Sequence, residues 1–215
     1  MKVDSSIFKA YDIRGIYPEQ INSEIAYAIG QGYAEVVKPE GPVVIGHDVR
    51  LHSEELKKAM IEGLLDAGVD VVDIGLISTE MIYFATGYYG FAGGIQSTAS
   101  HQPAQWHGAK LVKKDAEPVF GENGLNEIRD FVVKSLDSPM ESAYSGLIRS
   151  HRTGSSPHPT SPFKGEESVR DDKKGKLIKK DILDDFCKYV LGWIDTSTIK
   201  NFRIVANANN GFQGK

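Results

Sequence analysis

The chain has 215 residues, 40% hydrophobic and 25% charged, enough to bury a true core in one or two domains and ordinary for a soluble globular protein. Its net charge of -4 gives no electrostatic footprint for nucleic acid or an anionic membrane. The single cysteine, Cys187, excludes an internal disulfide framework, and with neither a basic-apolar leader nor a bilayer-length apolar run the expected address is the cytoplasm.

In chain order, Ser6-Ile7-Phe8-Lys9-Ala10-Tyr11-Asp12-Ile13-Arg14-Gly15 starts as a short apolar strand and closes on a turn-inviting glycine. Two readings stand for its charges: an exposed Asp12–Arg14 pair of little energetic worth, or a planar Arg14 fork offered to a phosphate. A helical apolar spacing follows through Ile25, Ala28, Ile29, Tyr33 and Val36, capped by Asn22 or Ser23 and ended by Pro39 and Gly41-Pro42. Pro42-Val43-Val44-Ile45-Gly46 is a nearly continuous apolar run between turn formers, as expected of a strand buried on both faces. It delivers His47-Asp48-Val49-Arg50 to its carboxyl end, where ligands usually sit in open α/β sheets. Arg50 is either a functional cation there or a structural partner of Asp48.

Ser53-Glu54-Glu55 opens a second helix through Leu65, closed by Gly68, and Val69 to Gly75 reads as a strand. Thr79 to Tyr89 reads as a third helix, with Tyr83, Phe84, Tyr88 and Tyr89 expected as a packing face. Gly93 to Lys110 then forms a strand, an exposed turn holding Ser100 and His101, and a second strand resuming near Gly108 and adding a mixed or antiparallel edge. A serine, a histidine and a lysine around one turn suit phosphoryl chemistry, a hydroxyl to hold phosphate and polar or cationic groups to offset its charge, yet such residues also share ordinary solvated loops. Gly121 to Leu125 leads into a helix ending near Leu136.

Strands alternating with helices predict an α/β layered domain, α/β/α with a mixed, mainly parallel sheet, over residues 1–137. Residues 138–176 are rich in Ser, Pro, Gly and mixed charge and lack periodicity, which predicts a disordered linker or insertion. His151 and His158 within it are read as linker residues, not metal ligands. Residues 177–215 resume order: Asp181 caps an amphipathic helix through Trp193 in which Cys187 is expected to be buried, followed by a strand over 202–207 and an Asn209-Asn210-Gly211 turn. This segment is expected to be the incomplete start of a second, similar domain.

Thr98-Ala99-Ser100-His101-Gln102-Pro103, then His107-Gly108-Ala109-Lys110, together with Lys9-Ala10-Tyr11-Asp12-Ile13-Arg14-Gly15 near the start, resemble the phosphoserine loop and opening motif of the α-D-phosphohexomutases, the phosphomannomutases and phosphoglucomutases. The family's usual loop is Thr-Ala-Ser-His-Asn-Pro followed by Asn-Gly-x-Lys, so Gln102 and His107 depart from it. The resemblance implies an intramolecular phosphotransferase interconverting hexose 1-phosphate and hexose 6-phosphate, of mannose or glucose, through a hexose bisphosphate. On that resemblance Ser100 is the phosphate carrier, Lys110 the general acid or base, Arg14 and His101 orient and neutralise phosphoryl oxygens, and Tyr11 borders the substrate. It also implies Mg2+, with Ser100 a ligand through its phosphate and the other ligands on an Asp-Gly-Asp-x-Asp-Arg loop that does not occur among these 215 residues, nor does the family's Glu-x-Ser-Gly-His loop. The expectation is a phosphate-donor half-site that does not turn over alone. Its alternatives are a non-catalytic remnant or interaction module, or one half of a split enzyme whose partner is a separate chain carrying the missing domains.

Overall fold

The computed structural model describes residues 3–137, 174–201, 203 and 205. Almost all of the expected linker, with His151 and His158, lies outside the described residues, as do the expected 202–207 strand, apart from residues 203 and 205, and its following turn. The elements are β1 (Ile13–Ile16), α1 (Ser23–Val37), β2 (Val43–His47), α2 (Ser53–Asp66), β3 (Val71–Leu76), α3 (Thr79–Tyr88), β4 (Gly93–Ser97), β5 (Trp106–Lys113), α4 (Asn126–Asp137), β6 (Leu177–Lys179) and α5 (Leu183–Leu191). One six-stranded sheet runs β1-β5-β4-β2-β3-β6. β5 alone runs against the other five strands, so the sheet is mixed and mainly parallel.

Local chemistry accounts for the element ends. The Asn22 side-chain oxygen accepts the N–H groups of Glu24 and Ile25, both at 3.1 Å, and so caps α1. Gly68 ends α2 at φ 83, a left-handed turn favouring a residue without Cβ. Asp12 and Arg14 do not continue a strand from Ser6: Ser5–Ile7 is a single 3-10 turn fastened by Asp4, and β1 starts only at Ile13. Likewise Gly121–Leu125 is a wide π-type turn broken at Asn123 and Gly124, with α4 regular from Asn126.

The core follows the two-residue period of the strands. Val43, Ile45, Ile95, Ala109 and Leu111 point to one face under Ile25, Ile29, Tyr33, Leu56, Met60, Leu64, Ile128 and Val132 of α1, α2 and α4. Val44, Val72, Ile74 and Val112 point to the other, against Met81, Ile82, Phe84 and Ala85 of α3 and against Ile182. Each aliphatic side chain buried in this way stabilises the fold by roughly 1.5–3 kcal/mol before entropy is counted. The α1–α2 contact is close enough that Gly30 and Gly63 face backbone carbonyls of the opposite helix, with no room for a Cβ. Below the sheet's β3 side, Lys57 Nζ of α2 lies 2.8 and 2.9 Å from the two Asp73 oxygens, an ion pair almost fully enclosed.

The hairpin expectation changes in one respect: β5 is not the edge, because β1 pairs outside it, Ile13 with Ala109 and Arg14 with Gly108. At the far edge, β6 pairs with β3 in parallel, Val71 with Leu177 and Asp73 with Lys179, so residues expected to open a second domain supply the sixth strand of this sheet. Helix α5 touches the aromatic side of α3, with Phe186 and Tyr189 ring centroids 5.3 and 5.1 Å from Phe84. The Asp181 carboxylate accepts from Leu183 N–H at 3.0 Å as a cap would. Cys187 is exposed, contrary to expectation, because only one edge of α5 reaches α3. Tyr88, expected within the packing face, is also exposed.

Candidate active site

The parallel strands β2 and β4 end side by side, so the residues leaving them meet above the same sheet edge. Asp48, just past β2, organises the turn after β4. Its carboxylate accepts from Thr98 Oγ1 at 2.7 Å, Ser53 Oγ at 2.6 Å and the Arg50 amide at 3.1 Å, and its own N–H donates to Ser97 O at 3.0 Å. The Arg50 guanidinium donates to four carbonyls of the turn: Ser100 and Gln102 at 2.6 Å, Pro103 at 2.9 Å and Trp106 at 3.0 Å. Arg50 thus has the 98–106 backbone as its partner as much as Asp48, whose Oδ2 lies 3.3 Å from its Nε.

On this support Ser100 adopts φ 54, in the left-handed region that a non-glycine residue enters at a cost of roughly 1–2 kcal/mol. Its N–H donates to Thr98 Oγ1 at 2.9 Å, its Oγ lies 3.3 Å from His101 Nδ1, and both side chains are exposed. The hydroxyl thus stands clear of the packed layers with an imidazole beside it.

Arg14 and Lys110 come together elsewhere. Arg14 Nη2 and Nε lie 2.6 and 2.9 Å from Asp12 Oδ2, and Lys110 Nζ lies 3.7 Å from the same oxygen. The β1–β5 register produces this: Ile13 opposite Ala109 turns both into the core and sends Asp12, Arg14 and Lys110 to the other face. Asp12 is 6% exposed, so the Asp12–Arg14 pair is not the solvated surface pair that one reading expected. Neither cation is hydrogen-bonded to Ser100 among the described residues. Tyr11 is 75% exposed, its ring centroid 6.4 Å from that of Phe120.

Beneath the turn, on the core face, lies a cluster that sequence reasoning missed. His107 is buried, and its ring meets Tyr17 and His52 edge-on at 5.6 and 5.5 Å, while those two rings stack at 3.9 Å. Glu55 accepts from Tyr17 Oη at 3.1 Å and Ser23 Oγ at 2.6 Å, and lies 3.3 Å from His52 Nδ1. The signal available was an aromatic or histidine at each of positions 17, 52 and 107, but their meeting depends on tertiary register. Burial first, then the nearby His52 and Arg50 charges, lower the basicity of His107; Asp48 and Glu55 act in the opposite sense.

The sign of the consequence follows. As pH falls from the ordinary histidine value of 6.5 through the lower folded one, the unfolded chain binds a proton that folded His107 resists, and stability is lost by up to about 1.4 kcal/mol per pH unit. Above the ordinary value this contribution is flat. Urea midpoints measured on both sides of it are expected to show a shallower acid-side slope in His107→Gln than in the parent chain. Equal slopes would remove His107 as the source.

For a divalent cation the fit is poor. Asp12 is engaged by Arg14 and Lys110, Asp48 by Arg50, Thr98 and Ser53, and among the described residues no group of three or more His, Cys, Asp or Glu is placed to hold a metal. These residues do not by themselves make a Mg2+ site.

Fold and site define a class: layered α/β/α domains that raise a serine hydroxyl out of a braced turn at the carboxyl ends of parallel strands. Residues 5–136 match the family described as phosphoglucomutase/phosphomannomutase, alpha/beta/alpha domain I, and the chain belongs to that family. It is 38% identical over 208 residues to a phosphomannomutase of Escherichia coli, across 96% of this chain and 39% of that protein. A phosphomannomutase of Klebsiella pneumoniae is 50% identical over 142 residues, 66% of this chain and 90% of the relative. Among solved structures, a phosphoglucomutase/phosphomannomutase family protein from Burkholderia thailandensis superposes with a TM-score of 0.65 at 26% identity, covering 88% of this chain and 36% of that one. The chain thus spans about two fifths of the length of the Escherichia coli relative.

Proposed function

We propose that this chain carries the phosphoryl-carrying half of a phosphohexomutase site. Ser100 Oγ takes a phosphoryl group from a hexose bisphosphate of mannose or glucose, releasing the sugar hydroxyl, and returns it to a hexose monophosphate. The observation that carries this reading is the exposed Ser100 hydroxyl, held in a left-handed turn by hydrogen bonds to Asp48 and from Arg50 rather than by packing over it. His101, 3.3 Å away, offsets charge on the phosphoryl oxygens. Arg14 and Lys110, drawn together on Asp12, supply a second cationic centre for the incoming phosphate, with Lys110 the proton-transfer group and Tyr11 at the substrate's border.

Sustained interconversion is assigned to the longer relatives, and this chain to the uptake step. A second reading, a domain that binds without chemistry, is favoured by the poor fit for a metal among the described residues. The two separate on incubating the purified chain with glucose 1,6-bisphosphate or mannose 1,6-bisphosphate, with and without Mg2+. Intact mass and peptide mapping are expected to place one phosphoryl group on Ser100, while glucose 1-phosphate and mannose 1-phosphate show no continued isomerisation. An unmodified peptide under every condition supports the non-catalytic reading instead.

A further inference from the structure

We infer that Arg50 is a positioning residue for Ser100: its guanidinium draws the carbonyls of the turn inward and thereby turns the Ser100–His101 peptide so that its N–H faces out beside the serine hydroxyl. All four Nη hydrogens have a backbone carbonyl within reach, at Ser100, Gln102, Pro103 and Trp106, and Nε faces Asp48 Oδ2 at 3.3 Å. The side chain is 11% exposed; its bonds to Gln102 and Trp106 are part-buried and those to Ser100 and Pro103 lie at the surface, all four charge-assisted. In a planar trans peptide the C=O and N–H point in opposite directions. With Ser100 O held by Arg50 at 2.6 Å, the amide of His101 is aimed away from the guanidinium.

That amide donates to no acceptor among the described residues, whereas the neighbouring amides of Ser100 and Gln102 are both used, by Thr98 Oγ1 and Ala99 O. A free, outward N–H next to a phosphoryl-accepting hydroxyl is a fixed partial positive charge for a phosphoryl oxygen, available without reorganisation. Arg50 therefore acts on the chemistry without touching it. One cation presents the loop from behind, and the loop's own amide meets the anion in front. The consequence for transfer rests on the phosphoryl uptake proposed above; the orientation of the peptide does not.

Lysine at position 50 keeps the charge but concentrates it in one ammonium with three donors, which cannot reach four carbonyls spread around a planar fork. The test compares the parent chain with Arg50→Lys and Arg50→Ala by hydrogen exchange across 98–107 and by the rate at which hexose 1,6-bisphosphate labels Ser100. Both variants are expected to exchange the turn's amides about tenfold faster while the amides of β2 and β3 stay protected. Labelling is expected to slow about a hundredfold, as for a displaced reacting group, and added guanidinium is expected to restore part of it in Arg50→Ala. Parent-like exchange of the turn in folded Arg50→Lys and Arg50→Ala overturns the inference, and so does unchanged labelling despite a loosened turn. Should the parent chain accept no phosphate, the proposed function fails, and the exchange data still decide whether Arg50 sets the turn.

Discussion

Ser100→Ala is expected to abolish phosphoryl uptake from hexose 1,6-bisphosphate, at least a thousandfold below the parent chain on the order of other lost nucleophiles, with the urea midpoint nearly unchanged. Alanine meets the same left-handed φ of 54 at a cost similar to that of serine, and the hydroxyl it loses makes one side-chain contact, to His101 at 3.3 Å. The backbone bonds that shape the turn, from Arg50 to Ser100 O and from Ser100 N–H to Thr98 Oγ1, do not involve the Ser100 side chain. Neither adjacent hydroxyl, Thr98 or Ser97, is placed to substitute. Thr98 Oγ1 donates to Asp48 at 2.7 Å, and Ser97 is fully buried. Mass analysis of the 97–110 peptide after bisphosphate treatment checks this. Labelling that survives in Ser100→Ala would move the acceptor to another residue, with His101 the first to map.

The parts of this arrangement differ in how readily the sequence discloses them. The Val43-Val44-Ile45 run reads directly as a doubly buried strand because its apolar residues need no alternation, and all three are fully buried. Asn22 reads as a cap because capping is local, within three residues. The serine turn is visible in its own order of residues, but its support is not: Arg50 and the carbonyls it binds are 50 to 56 residues apart. A partner at that distance is chosen by strand order, and the order β5-β4-β2 is a tertiary outcome. The same holds for Asp12, where an Asp-x-Arg spacing fits a solvated pair until β1 is laid against β5 and Lys110 closes over it. Helix α5 errs in the other direction. Its amphipathic spacing announces a buried face, yet Leu183, Val190 and Leu191 are exposed, as is Trp193, which lies past the helix's end at Leu191, because periodicity states that a helix has an apolar side without stating what covers it.

Gly108→Ala is expected to cost about 3 kcal/mol or more, a large share of the roughly 5–15 kcal/mol that holds a domain of this kind. A Cβ at position 108 would stand 1.8 Å from Ile13 O, 2.8 Å from Ile13 C and 3.1 Å from Arg14 Cα. All three are backbone atoms, so no side chain can rotate away, and relief requires β1 to separate from β5. The pairings Ile13 with Ala109 and Arg14 with Gly108 would then be lost. Asp12 and Arg14 would leave Lys110 with them, so the second cationic centre goes as the stability does. Gly87→Ala is the matched control: position 87 lies in α3, nothing is within 4 Å of the added methyl, and removing a helical glycine is expected to stabilise by about 0.5–1 kcal/mol. Urea unfolding of both variants beside the parent chain decides the point. A Gly108→Ala midpoint equal to that of the parent would mean that β1 does not lie against β5 at this register, and the meeting of Arg14 with Lys110 would lose its structural basis.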